Sequence, residues 1–228
     1  MTNIICFGDS ITQAAGVPDA ARWPVVLQAL LDDWRPGAFA VYSRGAGGHT
    51  CVQGFDRLQG DVLPLLPGVV LLEFGYNDAV IYEFTREPRV GLAEFRAKMT
   101  EIMRVIAARG GQPVLIINHT ERSVLKQGDG RSYADGYAPY EAAIRALSAG
   151  LNVPAIDLPA MMRDRGVNLD DFVTADGIHL SLAGNRTYAA MVCDGLRACL
   201  LPADHGDGPG VATPGPCGMR AGDGLTAC

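Results

Sequence analysis

Apolar residues fall along this chain in two rhythms. Short, largely apolar runs predict five strands: Ile4-Ile5-Cys6-Phe7, which reads as buried, Phe39-Ala40-Val41-Tyr42, Val69-Val70-Leu71-Leu72-Glu73-Phe74, Pro113-Val114-Leu115-Ile116-Ile117 and Val153-Pro154-Ala155-Ile156-Asp157-Leu158. Between them, apolar positions recur at helical spacing. Trp23, Val26, Leu27, Leu30 and Leu31 mark a helix over 20–34, and Leu92, Phe95, Met99, Ile102, Met103 and Ile106 mark one over 90–109. Further helices are predicted over about 52–65, 137–149 and 160–165, and Ser181 caps a last one ending near Leu200. Pro24 is tolerated in a first turn, while Pro36-Gly37 and Gly110-Gly111 are stop signals. Strand and helix alternate five times without hairpin signals, so the sheet is parallel with helices on both faces.

Ligands bind such sheets at the carboxyl ends of the strands. Four polar turns fall there: Gly8-Asp9-Ser10, the glycine-rich Ser43-Arg44-Gly45-Ala46-Gly47-Gly48-His49-Thr50, Gly75-Tyr76-Asn77-Asp78, and a long polar loop over 118–135. Ser10 stands just past the first strand and is a candidate nucleophile if a base reaches it; equally, Asp9 or Ser10 caps the next helix. Of four histidines, His205 lies far along the chain in a Gly/Pro-rich stretch, while His179 follows Asp176 by three residues with Gly177 between. At that spacing in a tight turn a carboxylate reaches imidazole Nδ1 and leaves Nε2 to face a serine. The bland alternative is an Asx-type turn ahead of the last helix. Acyl transfer also needs donors for an oxyanion. Glycine-loop N–H groups and the Asn77 amide could supply them, or these residues only shape turns. Each local alternative is reasonable singly; their joint occurrence, with Ser10, the glycine loop and Asn77 each at a strand end and the 176–179 segment able to fold back to that edge, is much less expected by chance.

Composition narrows the field. The 228 residues are 48% hydrophobic, enough for one sizeable core, and a single domain over 1–201 is expected. A net charge of −6 argues against a general nucleic-acid binder. No apolar run is long enough to span a bilayer, and Met1-Thr2-Asn3 leads into the first strand without a basic n-region, so a cytoplasmic location is expected. The six cysteines fit no metal motif or disulfide scaffold, and free thiols are expected; Cys217 and Cys228 would pair only under oxidising conditions. Residues 202–228, rich in Gly and Pro, are expected to form a disordered tail.

Gly8-Asp9-Ser10-Ile11-Thr12, the Gly45 to Gly48 loop, Gly75-Tyr76-Asn77-Asp78 and Asp176-Gly177-Ile178-His179 occur in the order of the sequence blocks of the SGNH (GDSL-type) hydrolases. The chain resembles that family over residues 3–200. The resemblance implies a three-layer α/β/α sandwich on a five-stranded parallel sheet, flavodoxin-like, and a serine esterase mechanism without metal or cofactor. Ser10 would be the nucleophile, His179 the general base and then acid, and Asp176 its orienting partner. The Ser10 and Gly48 backbone N–H groups and the Asn77 side chain would form the oxyanion hole. Ser43 stands where the second block often begins with Asn, His49 stands where Asp is frequent, and the choice of Gly48 over Gly45 rests on the alignment with Thr50. The G-x-S-x-G nucleophile elbow is absent around Ser10. The opening Gly-Asp-Ser-Ile-Thr-Gln resembles members acting on short-chain acyl esters, acetyl esters among them. Tyr82, Phe84 and Arg86, with the loop from His119 to Tyr133, are expected to line the pocket, or else to pack as ordinary loops. The expected partner is a small-molecule ester, with no nucleic acid and no membrane. Lysophospholipase or thioesterase activity, or a non-catalytic binding module on the same fold, are the competing readings.

Overall fold

A computed structural model of the protein describes residues 1–122 and 124–200. The expected tail, with Cys217 and Cys228, lies outside the described residues. Strands β1 (Thr2–Gly8), β2 (Phe39–Gly45), β3 (Gly68–Glu73), β4 (Gln112–Ile117) and β5 (Ala155–Asp157) form one sheet in the order β2-β1-β3-β4-β5. Every pairing is parallel. The helices are α1 (Ser10–Gln13), α2 (Trp23–Trp34), α3 (Cys51–Asp61), α4 (Tyr76–Ala79), α5 (Leu92–Ala108), α6 (Tyr133–Leu151), α7 (Leu158–Arg165), α8 (Leu169–Phe172) and α9 (Leu182–Leu200). One helical layer packs α2 and α7 against α9, and the other packs α5 against α3 and α6. The result is an α/β/α sandwich.

The central strands carry the core. Ile4, Ile5, Phe7, Val70, Leu71, Leu72, Val114 and Leu115 are all buried, because helices cover both faces of the sheet. That is why their sequences run apolar without alternation. Truncating one of them, as in Leu71→Ala, removes packed methyl groups from a site with no solvent access and costs about 2–5 kcal/mol.

Differences from the sequence expectation have local causes. The helix expected over 52–65 stops at Asp61 and gives way to a single 3₁₀ turn, Leu63–Leu65, because Pro64 cannot continue the hydrogen-bond ladder. Helix α6 starts four residues earlier than expected, where the Ser132 hydroxyl accepts the Asp135 N–H at 3.0 Å. Strand β5 is only three residues long and begins after Pro154. Cys6, Cys51, Cys193 and Cys199 are free thiols, the first three buried. Among the described residues, no helix is long and apolar enough to cross a membrane.

Candidate active site

The site is built where β1, β2 and β3 end. The parallel register sets Gly8 beside both Gly45 and Glu73. A Cβ on Gly8 would collide with Thr12 Oγ1 and with Glu73, so only glycine lets the chain turn there. Asp9 then caps α1, its Oδ1 accepting the Ile11 N–H at 2.9 Å. Ser10 opens the helix, half-buried, with its side chain toward the strand ends. Trp23 Nε1–H donates to the Ile11 carbonyl at 2.8 Å and ties this short helix to the start of α2. Capping and presentation of the serine are therefore two halves of one turn.

The second component arrives on the loop ahead of α9. Val173 and Leu180 form an isolated antiparallel bridge, and Thr174 accepts the Gly177 N–H at 2.9 Å, closing a tight turn. Gly177 has φ +79°, and a Cβ there would strike the Arg122 carbonyl. This turn brings Asp176 Oδ2 to 2.6 Å from His179 Nδ1 and His179 Nε2 to 2.9 Å from Ser10 Oγ. Burial works toward a neutral Asp176 carboxyl. It is outweighed by the Ile178 and His179 N–H groups, the imidazole and the Thr174 hydroxyl, which hold the carboxyl well below the usual carboxylate range. An ionised Asp176 accepts the Nδ1–H, so Nε2 carries the lone pair and accepts from the Ser10 hydroxyl.

His119 lies behind this loop, 1% exposed, outside both clefts beside Ser10. Its Nε2–H donates to the Ile178 carbonyl at 2.8 Å. Burial pushes the imidazole down to about 4, so it is the neutral ring that braces the loop. The expectation that His119 lines the substrate pocket is thus replaced by a brace: the end of β4 is covered by α6 and the 173–180 loop.

The glycine loop and Asn77 face Ser10 from the other side. Gly45 has no room for a side chain, since a Cβ would meet the backbone of Thr12 and Gln13; its glycine serves the approach of α1 to β2. Gly48 is different: it is exposed, has φ +73°, and a Cβ there would meet nothing within 4 Å. Between them, a Cβ on Gly47 would sit 3.9 Å from Ser10 Cβ, so the loop runs alongside the serine. Asn77 Nδ2 donates to Asp9 Oδ2 at 2.9 Å. Asp78 fixes the neighbouring turn, accepting the Cys51 N–H at 2.9 Å and the Gly75 N–H at 3.1 Å.

Beneath Ser10 two carboxyl groups lie fully buried. Glu73 Oε2 accepts the Asp9 N–H at 3.2 Å and the Thr12 hydroxyl at 2.9 Å. Burial raises the pKa of both Asp9 and Glu73. Asp9 is relieved by the Ile11 N–H and the Asn77 amide, whereas Glu73 faces the Asp9 charge, so the shared proton resides on Glu73. Glu73 looks in the sequence like one more position of a strand; its role depends on the register that sets it beside Gly8.

Two clefts flank Ser10 and His179. One, of about 340 Å³, is lined by Ile11, Gln13, Ala14, Ala15, Thr174 and Leu180. The other, of about 150 Å³, is lined by Tyr76, Asn77, Val80, Leu125, Tyr133 and Ile178. Tyr82, Phe84 and Arg86 line neither. Tyr82 and Phe84 stack on each other at 5.4 Å in the 80–89 excursion, and Phe84 is 85% exposed. Leu125 and Tyr133, whose loop does fall in the expected span, are the pocket residues of that region. Among the described residues, no group of three or more His, Cys, Asp or Glu side chains is arranged to hold a metal ion.

A serine at the end of β1 of a parallel sandwich, hydrogen-bonded to a histidine that is itself bonded to a carboxylate, defines the class of serine hydrolases of α/β/α build. Within that class the chain belongs to the GDSL-like lipase/acylhydrolase family, whose sequence profile matches residues 6–187. It is 26% identical to the thioesterase 1/protease 1/lysophospholipase L1 of Escherichia coli (strain K12), over 90% of this chain and 86% of that protein. It is also 26% identical to the uncharacterized lipoprotein YqeF of Bacillus subtilis (strain 168), over 85% of this chain and 79% of the relative. Its structure is similar to that of the lipase/acylhydrolase from Enterococcus faecalis, with a TM-score of 0.68 at 29% identity, over 89% of this chain and 98% of that one.

Proposed function

We propose that this GDSL-family hydrolase is a serine esterase for short-chain acyl esters of small alcohols, acetyl esters among them, working through an acyl-enzyme. The observation that carries the reading is the hydrogen-bonded series Asp176–His179–Ser10, at 2.6 and 2.9 Å. Ser10 Oγ attacks the acyl carbon as His179 Nε2 takes the hydroxyl proton. Asp176 holds the imidazole and stabilises its charge. Negative charge gathers on the former carbonyl oxygen, facing the Ser10 and Gly48 N–H groups and the second hydrogen of Asn77 Nδ2. The C–O bond to the alcohol breaks, and the alkoxide leaves with the proton from His179. A water, deprotonated by the same nitrogen, then cleaves the Ser10 ester to release the acid. No step requires a metal or an organic cofactor.

The size of the substrate is argued from the clefts. The smaller one, about 150 Å³, adjoins Asn77 and is lined by Tyr76, Tyr133 and Leu125, and its size suits a short acyl group. The larger one, about 340 Å³ and lined by the small side chains of Ala14 and Ala15, suits the alcohol. The name of the Escherichia coli relative supports a second reading, a thioesterase or lysophospholipase, because the same serine chemistry cleaves a thioester or a longer acyl ester. Hydrolysis of a graded series of 4-nitrophenyl esters from acetate to palmitate tests the choice. The proposal expects kcat/KM to peak at two to four carbons; a peak at eight carbons or beyond overturns the short-chain assignment in favour of the second reading.

A further inference from the structure

Asn77 is gripped at both ends. Its Nδ2 donates to Asp9 Oδ2 at 2.9 Å, and its Oδ1 accepts from Arg89 Nη1 at 3.4 Å. A flipped amide would set Oδ1 against a buried carboxyl group and Nδ2 against a guanidinium, both unfavourable. Only one orientation survives, and it leaves the second Nδ2 hydrogen without a role in this grip. The same Arg89 Nη1 donates to the Gly48 carbonyl at 2.8 Å, and Arg89 Nη2 donates to Gln53 Oε1 at 3.3 Å. One guanidinium therefore spans the glycine loop, the first turn of α3 and Asn77.

Gly48 needs such a hold. It is exposed, sits at φ +73° and has open space around its Cα, so its own surroundings restrain it little. Its carbonyl contact with Arg89 restrains the peptide that follows it and so the loop that carries it past Ser10. Gln53 is a suitable anchor because it is already committed, accepting the Thr50 N–H at 3.0 Å in the capping box of α3. Arg89 is itself rooted. The chain leaves α4, makes the 80–89 excursion and returns through the Ile81–Pro88 bridge; Arg89 N–H donates to the Val80 carbonyl at 2.9 Å and Val90 N–H to the Asp78 carbonyl at 3.1 Å. The planar fork of arginine reaches three acceptors at once, which a lysine ammonium on a flexible stem does less well.

We propose, resting on the esterase reading above, that Arg89 is the positioning residue of the oxyanion hole: by holding the Gly48 carbonyl and the Asn77 amide oxygen together it aims two separate oxyanion donors at one point. Its charge at Asn77 Oδ1 also polarises the amide and strengthens its N–H as a donor. Arg89 does not touch the substrate.

The test is a double-mutant cycle with a structural readout. Arg89→Ala is expected to lower kcat roughly ten- to a hundred-fold with KM within about two-fold, since a misaimed donor loses most in the transition state. Arg89→Lys is expected to recover part of the loss. In the Asn77→Ala background, Arg89→Ala should cost clearly less than it does in the parent, because one of the two donors it aims is gone while Gly48 remains. In 15N–1H spectra, the Asn77 side-chain amide pair, identified by its absence in Asn77→Asp, should shift toward the free-amide position in Arg89→Ala. Fully multiplicative losses, an unchanged kcat, or a rise in KM alone overturn the proposal, as does an unmoved amide pair. If Arg89→Ala does not fold, Arg89→Lys carries both measurements. A parent that cleaves no ester overturns the esterase reading instead, and the amide signal then decides the placement of Arg89 by itself.

Discussion

His119 Nε2 lies 2.8 Å from the carbonyl oxygen of Ile178, the residue between Gly177 and His179. That bond joins the end of β4 to the turn that carries the candidate base, and it is made by a ring that burial keeps neutral, its pKa pushed down to about 4. In the unfolded chain the same imidazole titrates near 6.5. As pH falls from about 6.5 to about 4, the unfolded state takes up a proton that the folded state refuses. The stability that the neutral ring contributes is therefore present above 6.5 and lost toward 4. His119→Gln keeps a donor for Ile178 and removes the titration. Its melting temperature relative to the parent should rise on acidification through that window; a constant difference from pH 7 to pH 4 would show that His119 does not titrate as described.

The Asp9–Glu73 pair has the opposite sign. Burial holds both carboxyls above their ordinary values, with Glu73 raised further by the facing Asp9. Above about 4.5 an unfolded Glu73 releases its proton while the folded one keeps it, so the pair's cost to stability grows as pH rises. Glu73→Gln preserves the neutral form and the shape. Thermal melts should place Glu73→Gln progressively higher relative to the parent from pH 5 to pH 8. A relative loss with rising pH would mean that the parent gains from an ionised Glu73.

Loss of an oxyanion donor acts on the transition state. For Asn77→Ala we expect kcat to fall roughly a hundred-fold or more with KM little changed. Steady-state kinetics and a thermal melt on one preparation decide this. If Asn77 only shapes the turn after Gly75, stability falls and kcat does not.

Asp176→Asn should lower kcat by several orders of magnitude, on the order of 10⁴ where a triad carboxylate is replaced by an amide. The amide cannot stabilise the imidazolium and favours the wrong tautomer. Asp176→Asn turning over as fast as the parent would make Asp176 a turn residue only.

These features differ in how far the sequence reveals them. Ser10, Asn77 and the 176–179 turn stand out by place, after an apolar run or at a short fixed spacing, but each alone reads equally well as a cap or turn; it is their occurrence together, in the order of the GDSL-type sequence blocks, that singles them out. The central strands β1, β3 and β4 were legible as apolar runs because they are buried on both faces, while the edge strands β2 and β5 are only partly buried and show as shorter, mixed runs. Glu73 and Arg89 were not legible. Glu73 depends on a parallel register that sets it beside Gly8, 65 positions earlier in the chain. Arg89 depends on the return of the 80–89 excursion to the place it left. Tyr82 and Phe84 drew attention as aromatic residues near a strand end, but the excursion turns them outward to stack on each other, and Leu125 and Tyr133 occupy the cleft. One-turn helices such as α1, α4 and α8 are too short for any periodicity to announce them.

The central claim is that Ser10 is a nucleophile activated by His179. Reaction with a fluorophosphonate, followed by peptide mass spectrometry, measures this most directly. The account predicts a single adduct on Ser10 in the folded parent, with labelling and ester hydrolysis both abolished in a folded Ser10→Ala variant. An unlabelled parent, or a Ser10→Ala protein that still hydrolyses esters at the parent rate, would contradict it.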